Sequence, residues 1–202
     1  MSTIRLVWYL SRMPYDSAAT RARLLDAAYR EFSERGLAGA RVDRMASVAQ
    51  ANKQAIYAYF GSKDDLFDAV LADRLSVLAD SAPFSPDDLP GYAGALFDAL
   101  TSAPDLMRLT RWRSLERDDV TPGEVESHLS KALLLKAALG LPDDDTAVDV
   151  LEIVIALSTA WLTVAPGLKT AGGTDPSNRR EAHRAAVVAA ATAIVNHFSG
   201  HS

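Results

Sequence analysis

Apolar residues recur at helical spacing along almost the whole chain, and no stretch alternates with the period of two that marks a half-buried strand. In a first helix, beginning at residue 17 or 20 and running to 35, Leu25, Ala28 and Phe32 stand at i, i+3 and i+7. Gly36 followed by Leu37 then supplies a glycine stop. Val42, Met45, Ala46 and Ala49 share one face of a second helix of about two turns, too short to stand without tertiary support. Asn52 offers an N-cap to a third helix over 53–60, where Ile56 and Phe60 lie four apart and face one core, and Gly61 ends it. Ser62, with Asp65 at the third helical position, opens a fourth helix whose stripe runs through Phe67, Val70, Leu71, Arg74 and Leu78.

Pro83, Pro86 and Pro90 interrupt the pattern, and about five further helical segments come after them, over 92–102, 104–117, 122–139, 143–165 and 177–198. The prediction is an all-α chain in two parts: an arm over 1–16, a three-helix domain over 17–62, a connecting helix over 63–82 and a larger helical bundle over 83–202. The last two helices are apolar over more than one stripe, so each must be covered on more than one side. One copy has too few helices for that. A second copy is therefore expected against Val150, Ile153, Val154 and Leu157 on one helix and Val187, Ala190, Ala191 and Ile194 on the other.

No membrane partner is expected. The longest apolar run, IVIALSTAWLTVAPGL, contains Pro166 and falls short of the roughly 18 residues a spanning helix needs. The opening residues have only a short apolar run and no small-residue cleavage site, so they read as an arm, or as an extension ahead of Met13, on a cytoplasmic protein. Absence of cysteine rules out disulfides and thiolate metal sites.

Charge changes the picture more. The net charge of −5 conceals a front of residues 1–60 with nine Lys/Arg against five Asp/Glu, while the remainder carries the acidic excess. A cationic face can bind a polyanion despite an acidic total, because salt limits the reach of distant charges to about 10 Å.

A supporting helix, a short helix, a tight turn and another short helix form the layout of a helix-turn-helix, whose last helix enters the major groove of DNA. Asn52, Lys53 and Gln54 then meet base edges: the amides suit adenine and the ammonium suits guanine or phosphate. Tyr57 and Tyr59 carry hydroxyls at the ends of rigid rings, suited to phosphates, and Arg41 and Arg44 extend that contact from the second helix. Arg12, Arg21 and Arg23 are candidates for contacts from the arm. Lys63 occupies the first turn of the fourth helix, where the macrodipole disfavours a cation by about 0.3–1 kcal/mol; a phosphate there would reverse the penalty.

The stretch TRARLLDAAYREFSERGLAGARVDRMASVAQANKQAIYAYFGSKDDLFDAVL resembles the DNA-binding domain of the tetracycline-repressor (TetR) family across about residues 18–71, most specifically in IYAYFGSKDDLF. The resemblance implies a homodimeric transcriptional repressor that binds a palindromic operator in double-stranded DNA. It also implies a C-terminal small-molecule pocket and a four-helix dimer bundle made by the last two helices. Phe97, Met107, Trp112 and Trp161 are candidates to line that pocket. Three positions depart from the family pattern: Gln50 stands where the turn usually has glycine, Arg41 where the second helix commonly begins with a hydroxyl residue, and Ala55 where a hydroxyl is often found. Ala55 leaves an apolar spot suited to a thymine methyl.

No catalytic residue, metal site or cofactor is expected. His197 and His201 lack a third ligand, and Asp143, Asp144 and Asp145 lack calcium-loop spacing and sit where a helix start favours negative charge. Two rivals remain: a regulator of the same fold without a small-molecule effector, and a helical enzyme or carrier with a structural front end.

Overall fold

A computed structural model describes residues 17–117, 119–170, 173 and 175–199. The arm with Arg12, and His201, lie outside them. In chain order the described residues form α1 (Ser17–Gly39), α2 (Val42–Val48), α3 (Lys53–Phe60), α4 (Lys63–Ser81), α5 (Leu89–Ser102), α6 (Pro104–Glu116), α7 (Pro122–Leu139), α8 (Asp144–Thr163), α9 (Pro166–Lys169) and α10 (Pro176–Ser199), with no strand among them. The all-α expectation holds.

The chain divides into two compact units, and the division differs from the proline-marked boundary. Among the described residues, unit one takes 17–74 together with Arg108–Arg117; unit two takes Leu75–Met107 and the described residues from 119 onward. The break thus falls inside α4, and the end of α6 joins the N-terminal helices.

In unit one, Leu24, Ala28 and Phe32 of α1, Met45 of α2, Ile56 of α3 and Leu66 and Phe67 of α4 are all but inaccessible. Phe32 and Phe67 meet edge to face at 5.0 Å. Burying each large apolar side chain contributes about 1.5–3 kcal/mol, which supplies the support that the seven-residue α2 lacks alone.

Gly36 interrupts α1 at φ 69°, so Leu37–Gly39 is a separate turn beyond the glycine stop. A Cβ at Gly36 would stand 2.7 Å from the Glu116 carboxylate and 2.8 Å from the Trp112 ring. Both the backbone and the space demand glycine. Gln50, in the α2–α3 turn, has φ 51° and is the one non-glycine residue with positive φ among the described residues. That conformation costs a residue with a Cβ about 1 kcal/mol.

Unit two is built around α5, which packs on α8 and α10, while α7 packs on α8. Capping explains the boundaries: Asp88 accepts from Gly91 N–H, Thr121 and Glu124 form a reciprocal box, Asp143 accepts from Thr146 N–H, and Gly140 closes α7 in the left-handed region. Gly94 lets α10 approach α5, with the Arg184 guanidinium 2.9 Å from where a Cβ would be. Arg184 also pairs with Asp98 at 2.8 Å.

By length and composition α8, at 20 residues and mean hydropathy 1.5, could cross a bilayer, which the run bounded by Pro166 did not indicate. Here Val150, Leu151, Val154 and Ser158 are buried in unit two, and Ser158 Oγ donates to the Ala93 carbonyl at 3.1 Å. This burial corrects the interface expected from the sequence. Val150, Val154, Val187 and Ala191 belong to the core of a single copy, because α5 needs those faces of α8 and α10. Ile153 is half exposed, and Leu157, Ala190 and Ile194 are intermediate.

Gly36→Ala and Gln50→Gly should shift stability in opposite directions. Urea unfolding followed by circular dichroism should show a loss of about 2 kcal/mol or more for the first and a gain of about 0.5–1 kcal/mol for the second.

Candidate nucleic-acid interface

The turn joining α2 to α3 is closed by Ala49 N–H to the Met45 carbonyl and Ala51 N–H to the Ala46 carbonyl, each at 2.9 Å. Since Ile56 and Phe60 face the core, Lys53, Gln54 and Tyr57 are turned outward, with Tyr57 46% exposed; Ala55 and Tyr59 are half-buried. Gln54 makes no side-chain hydrogen bond among the described residues, so both ends of its amide are open to a base edge.

Asn52 has other work. Its Oδ1 accepts from Gln54 N–H at 3.0 Å, capping α3. That bond uses one of the two lone pairs of the oxygen, so the second lone pair and the amino group stay open to a base edge. Lys53 Nζ lies 2.8 Å from Asp43, whose carboxylate holds the ammonium pKa above its usual value. Both groups are exposed, and an exposed pair of this kind exchanges readily for a phosphate.

The arginines of α2 part company. Arg41 is exposed and its side chain gives α2 no cap, but its backbone N–H donates to Glu31 Oε1 at 2.9 Å. Arg44 turns toward the same carboxylate: Nε donates at 2.8 Å, Nη2 pairs with the same oxygen, and Nη2 also donates to the Gly39 carbonyl at 3.2 Å. Arg44, expected on a phosphate, is paired here with a buried carboxylate. Burial would raise the Glu31 pKa, but the bonds from Arg44 and Arg41 N–H, with the charges of Arg44 and Arg35, outweigh it and leave the carboxyl below its reference of 4.5.

Lys63 also has partners within the unit. Its ammonium donates to the carbonyls of Leu37 at 2.8 Å and Ala40 at 3.4 Å, so the unfavourable macrodipole is offset without an external anion. Arg23 donates to the Ala49 carbonyl at 3.1 Å, and Arg21 lies 5.1 Å over the Phe60 ring, so both brace the motif.

Trp112, expected in a ligand pocket, lies in unit one. Its indole N–H donates to the Ser33 carbonyl at 3.3 Å, and its ring covers Gly36. Nearby Glu116 accepts from Leu37 N–H at 2.5 Å and Ala38 N–H at 3.2 Å, while Arg117 pairs with Asp68 at 2.7 Å. Of the other pocket candidates, Phe97 and Trp161 come together around His183, with ring centroids 5.9 and 5.3 Å from the imidazole, whereas Met107 is intermediate in burial on α6. Lys169 lies 4.9 Å over the Trp161 ring. Burial, then the charges of Arg179 and Lys169, lower the His183 pKa.

Sequence reasoning missed Glu31, Glu116 and His183. Glu31 carried a signal, since it falls with Leu24 and Ala28 on the inward stripe of α1. The other two carried none: Glu116 meets Leu37 and Ala38 across 79 and 78 positions, and His183 stacks on Phe97 across 86.

An exposed short helix held by a second short helix on a packed three-helix support defines a helix-turn-helix DNA-binding protein. Comparisons with known proteins agree. Residues 24–70 match the model of bacterial regulatory proteins of the tetR family, and residues 88–192 match the tetracyclin repressor-like C-terminal domain. The HTH-type transcriptional repressor SCO4008 of Streptomyces coelicolor is 38% identical over 161 residues, covering 76% of this chain and 83% of that protein. The crystal structure of a transcriptional regulator from the same organism, SCO4942, has a TM-score of 0.72 at 37% identity and covers 89% of this chain and 97% of its own. A TetR-like regulator of Rhodococcus sp. RHA1, at 21% identity and TM-score 0.51, covering 86% and 96%, shares the fold. The chain belongs to the TetR family of transcriptional regulators; it is a DNA-binding regulator, not an enzyme.

Because the folded pKa of Glu31 lies below 4.5, the stability it contributes is full above that pH and is lost as pH falls through the folded value. The gap in unfolding free energy between wild type and Glu31→Gln should stay constant from pH 7 to about 5, at about 1–2 kcal/mol in favour of wild type, and narrow in more acid solution. Thermal melts across that range check it.

Proposed function

We propose that this regulator is a homodimeric repressor that occupies a palindromic operator and leaves it when a small molecule binds in unit two. The observation that carries the DNA-reading part is the outward face of α3, where Lys53, Gln54 and Tyr57 are accessible while Ile56 and Phe60 are committed to the core. Gln54 reads a base edge, Tyr57 and Tyr59 meet phosphates, Ala55 abuts a thymine methyl, and Lys53 exchanges Asp43 for the DNA. Arg41 remains a phosphate candidate. The repressor sense is supported by the name of the 38% identical relative.

Two copies are needed to place two recognition helices about 34 Å apart, one turn of DNA. The faces of α8 and α10 left over by the core support this: Ile153 and Ala156 on one, and Ala182, Ala185, Ala186, Ala189 and Ala193 on the other, are exposed. Small side chains allow close helix approach, so the partner is a second copy of the same pair of helices.

Release requires a ligand that binds the two conformations with different affinity. The Phe97–His183–Trp161 cluster supports an aromatic or apolar effector in unit two. The contacts of Trp112 and Glu116 with the turn after Gly36 support α6 as the element through which binding alters the DNA-reading unit.

A gel-shift series with DNA from upstream of the gene tests the first claim. Wild type should bind it tightly and lose affinity steeply with salt, and Gln54→Ala should relax preference at one base position at a loss of about 1–3 kcal/mol; equal weak binding to every duplex would sink the reading. Light scattering tests the second: Ala189→Glu should convert a dimer to a monomer, and a dimer that survives the change puts the interface elsewhere.

A further inference from the structure

The buried charge of α1 has no part in the DNA contacts of α3. Glu31 is 9% exposed, and the donors that hydrogen-bond its Oε1 come from the start of α2. Arg41 N–H, at the residue preceding the helix, donates to it at 2.9 Å. Arg44, one turn in, donates to it and to the Gly39 carbonyl, lacing the first turn of α2 to α1 and to the segment that precedes it. Arg35 stands 3.7 Å from the other carboxylate oxygen. No side chain of α2 itself caps that end.

The seven residues of α2 have little intrinsic stability, so their placement is set by what grips them. The position of α3 in turn depends on α2, through the closed turn at Ala49 and Ala51. A shift at the Glu31 end would therefore reach Gln54 and Tyr57 without altering any group that touches DNA.

We propose that Glu31 is a positioning residue for operator recognition: its carboxylate caps α2 and holds Arg44 away from the DNA backbone, and so sets the angle at which α3 enters the groove. The inference rests on the reading of this chain as an operator-binding repressor. It assigns Arg44 no phosphate, and it makes the Glu31–Arg44 pair a determinant of specificity rather than of general affinity.

The test compares wild type, Glu31→Gln, Arg44→Gln and the double variant, at a temperature where circular dichroism shows each folded. Binding is measured to the upstream duplex and to a scrambled duplex of the same length across a salt series. Each single variant should bind the upstream duplex about tenfold more weakly, keep its affinity for the scrambled one, and keep the wild-type salt slope. The double variant should be no worse than either single one, because the two side chains act as a unit. If Glu31→Gln fails to fold, Arg44→Gln carries the comparison alone.

Two results overturn the proposal. A salt slope shallower by about 0.9 in Arg44→Gln would make Arg44 a phosphate contact. Parallel loss on both duplexes, or an unchanged ratio, would leave Glu31 only a stabilising role. Should wild type itself fail to distinguish the duplexes, the operator reading falls, and amide hydrogen exchange decides on Glu31. Faster exchange confined to residues 42–60 in the variants supports the positioning role, and uniform acceleration through α1 as well overturns it.

Discussion

A carboxylate removed from water must be given donors or lose its charge, and in unit one that requirement falls on Glu31. On α1 only Arg35 stands near it, at 3.7 Å, so the hydrogen-bond donors come from the next element: the Arg41 N–H and the Arg44 guanidinium. Satisfying one acid thus joins the long support helix to the short helix that cannot fold alone. The same logic extends along the segment between them. Lys63 needs acceptors at an unfavourable helix start and takes the carbonyls of Leu37 and Ala40; Glu116 needs donors and takes the amides of Leu37 and Ala38. Backbone groups of Leu37, Ala38, Ala40 and Arg41 are thereby held by charged side chains from α1, α4 and α6.

On the proposed reading, this arrangement separates base recognition from positioning. The groups that face outward on α3 are few and loosely held: an amide without partners among the described residues, a phenol and an ammonium in an exchangeable pair. The groups that orient them are buried or bonded to backbone. Such a division suits recognition, because a base contact discriminates only if the helix carrying it arrives at a reproducible angle. Unit two obeys a simpler physics, in which α5 fills its surroundings with α8 and α10 through apolar burial, with Gly94 removing bulk where α10 comes close.

Much of the local structure was legible from the chain. Gly36, Asn52, Gly61 and Ser62 punctuate the helices as their chemistry requires, and the period of Leu25, Ala28 and Phe32 announces the buried face. The assignments that changed were those that depended on a partner far away in sequence. Val150, Val154, Val187 and Ala191 read as a face awaiting a second copy, because periodicity shows that a stripe is apolar without showing what covers it. Trp112 read as a pocket aromatic because its type suits one, whereas its ring closes over Gly36.

The sequence alone determined the features set by neighbours within a few residues: helix positions, caps, the inward faces and the outward register of Lys53, Gln54 and Tyr57. At Gln50 the resemblance pointed only to a turn that usually has glycine; its positive φ came from the structure. Tertiary structure decided which charges were already spoken for. Arg44 and Lys63 look alike in sequence to cations awaiting a phosphate, and only folding brings Glu31 and the carbonyls of Leu37 and Ala40 within reach of them. The reason is that an ion pair or hydrogen bond depends on distance in space, and positions 13 and 26 apart carry no periodic signal by which that distance could be read.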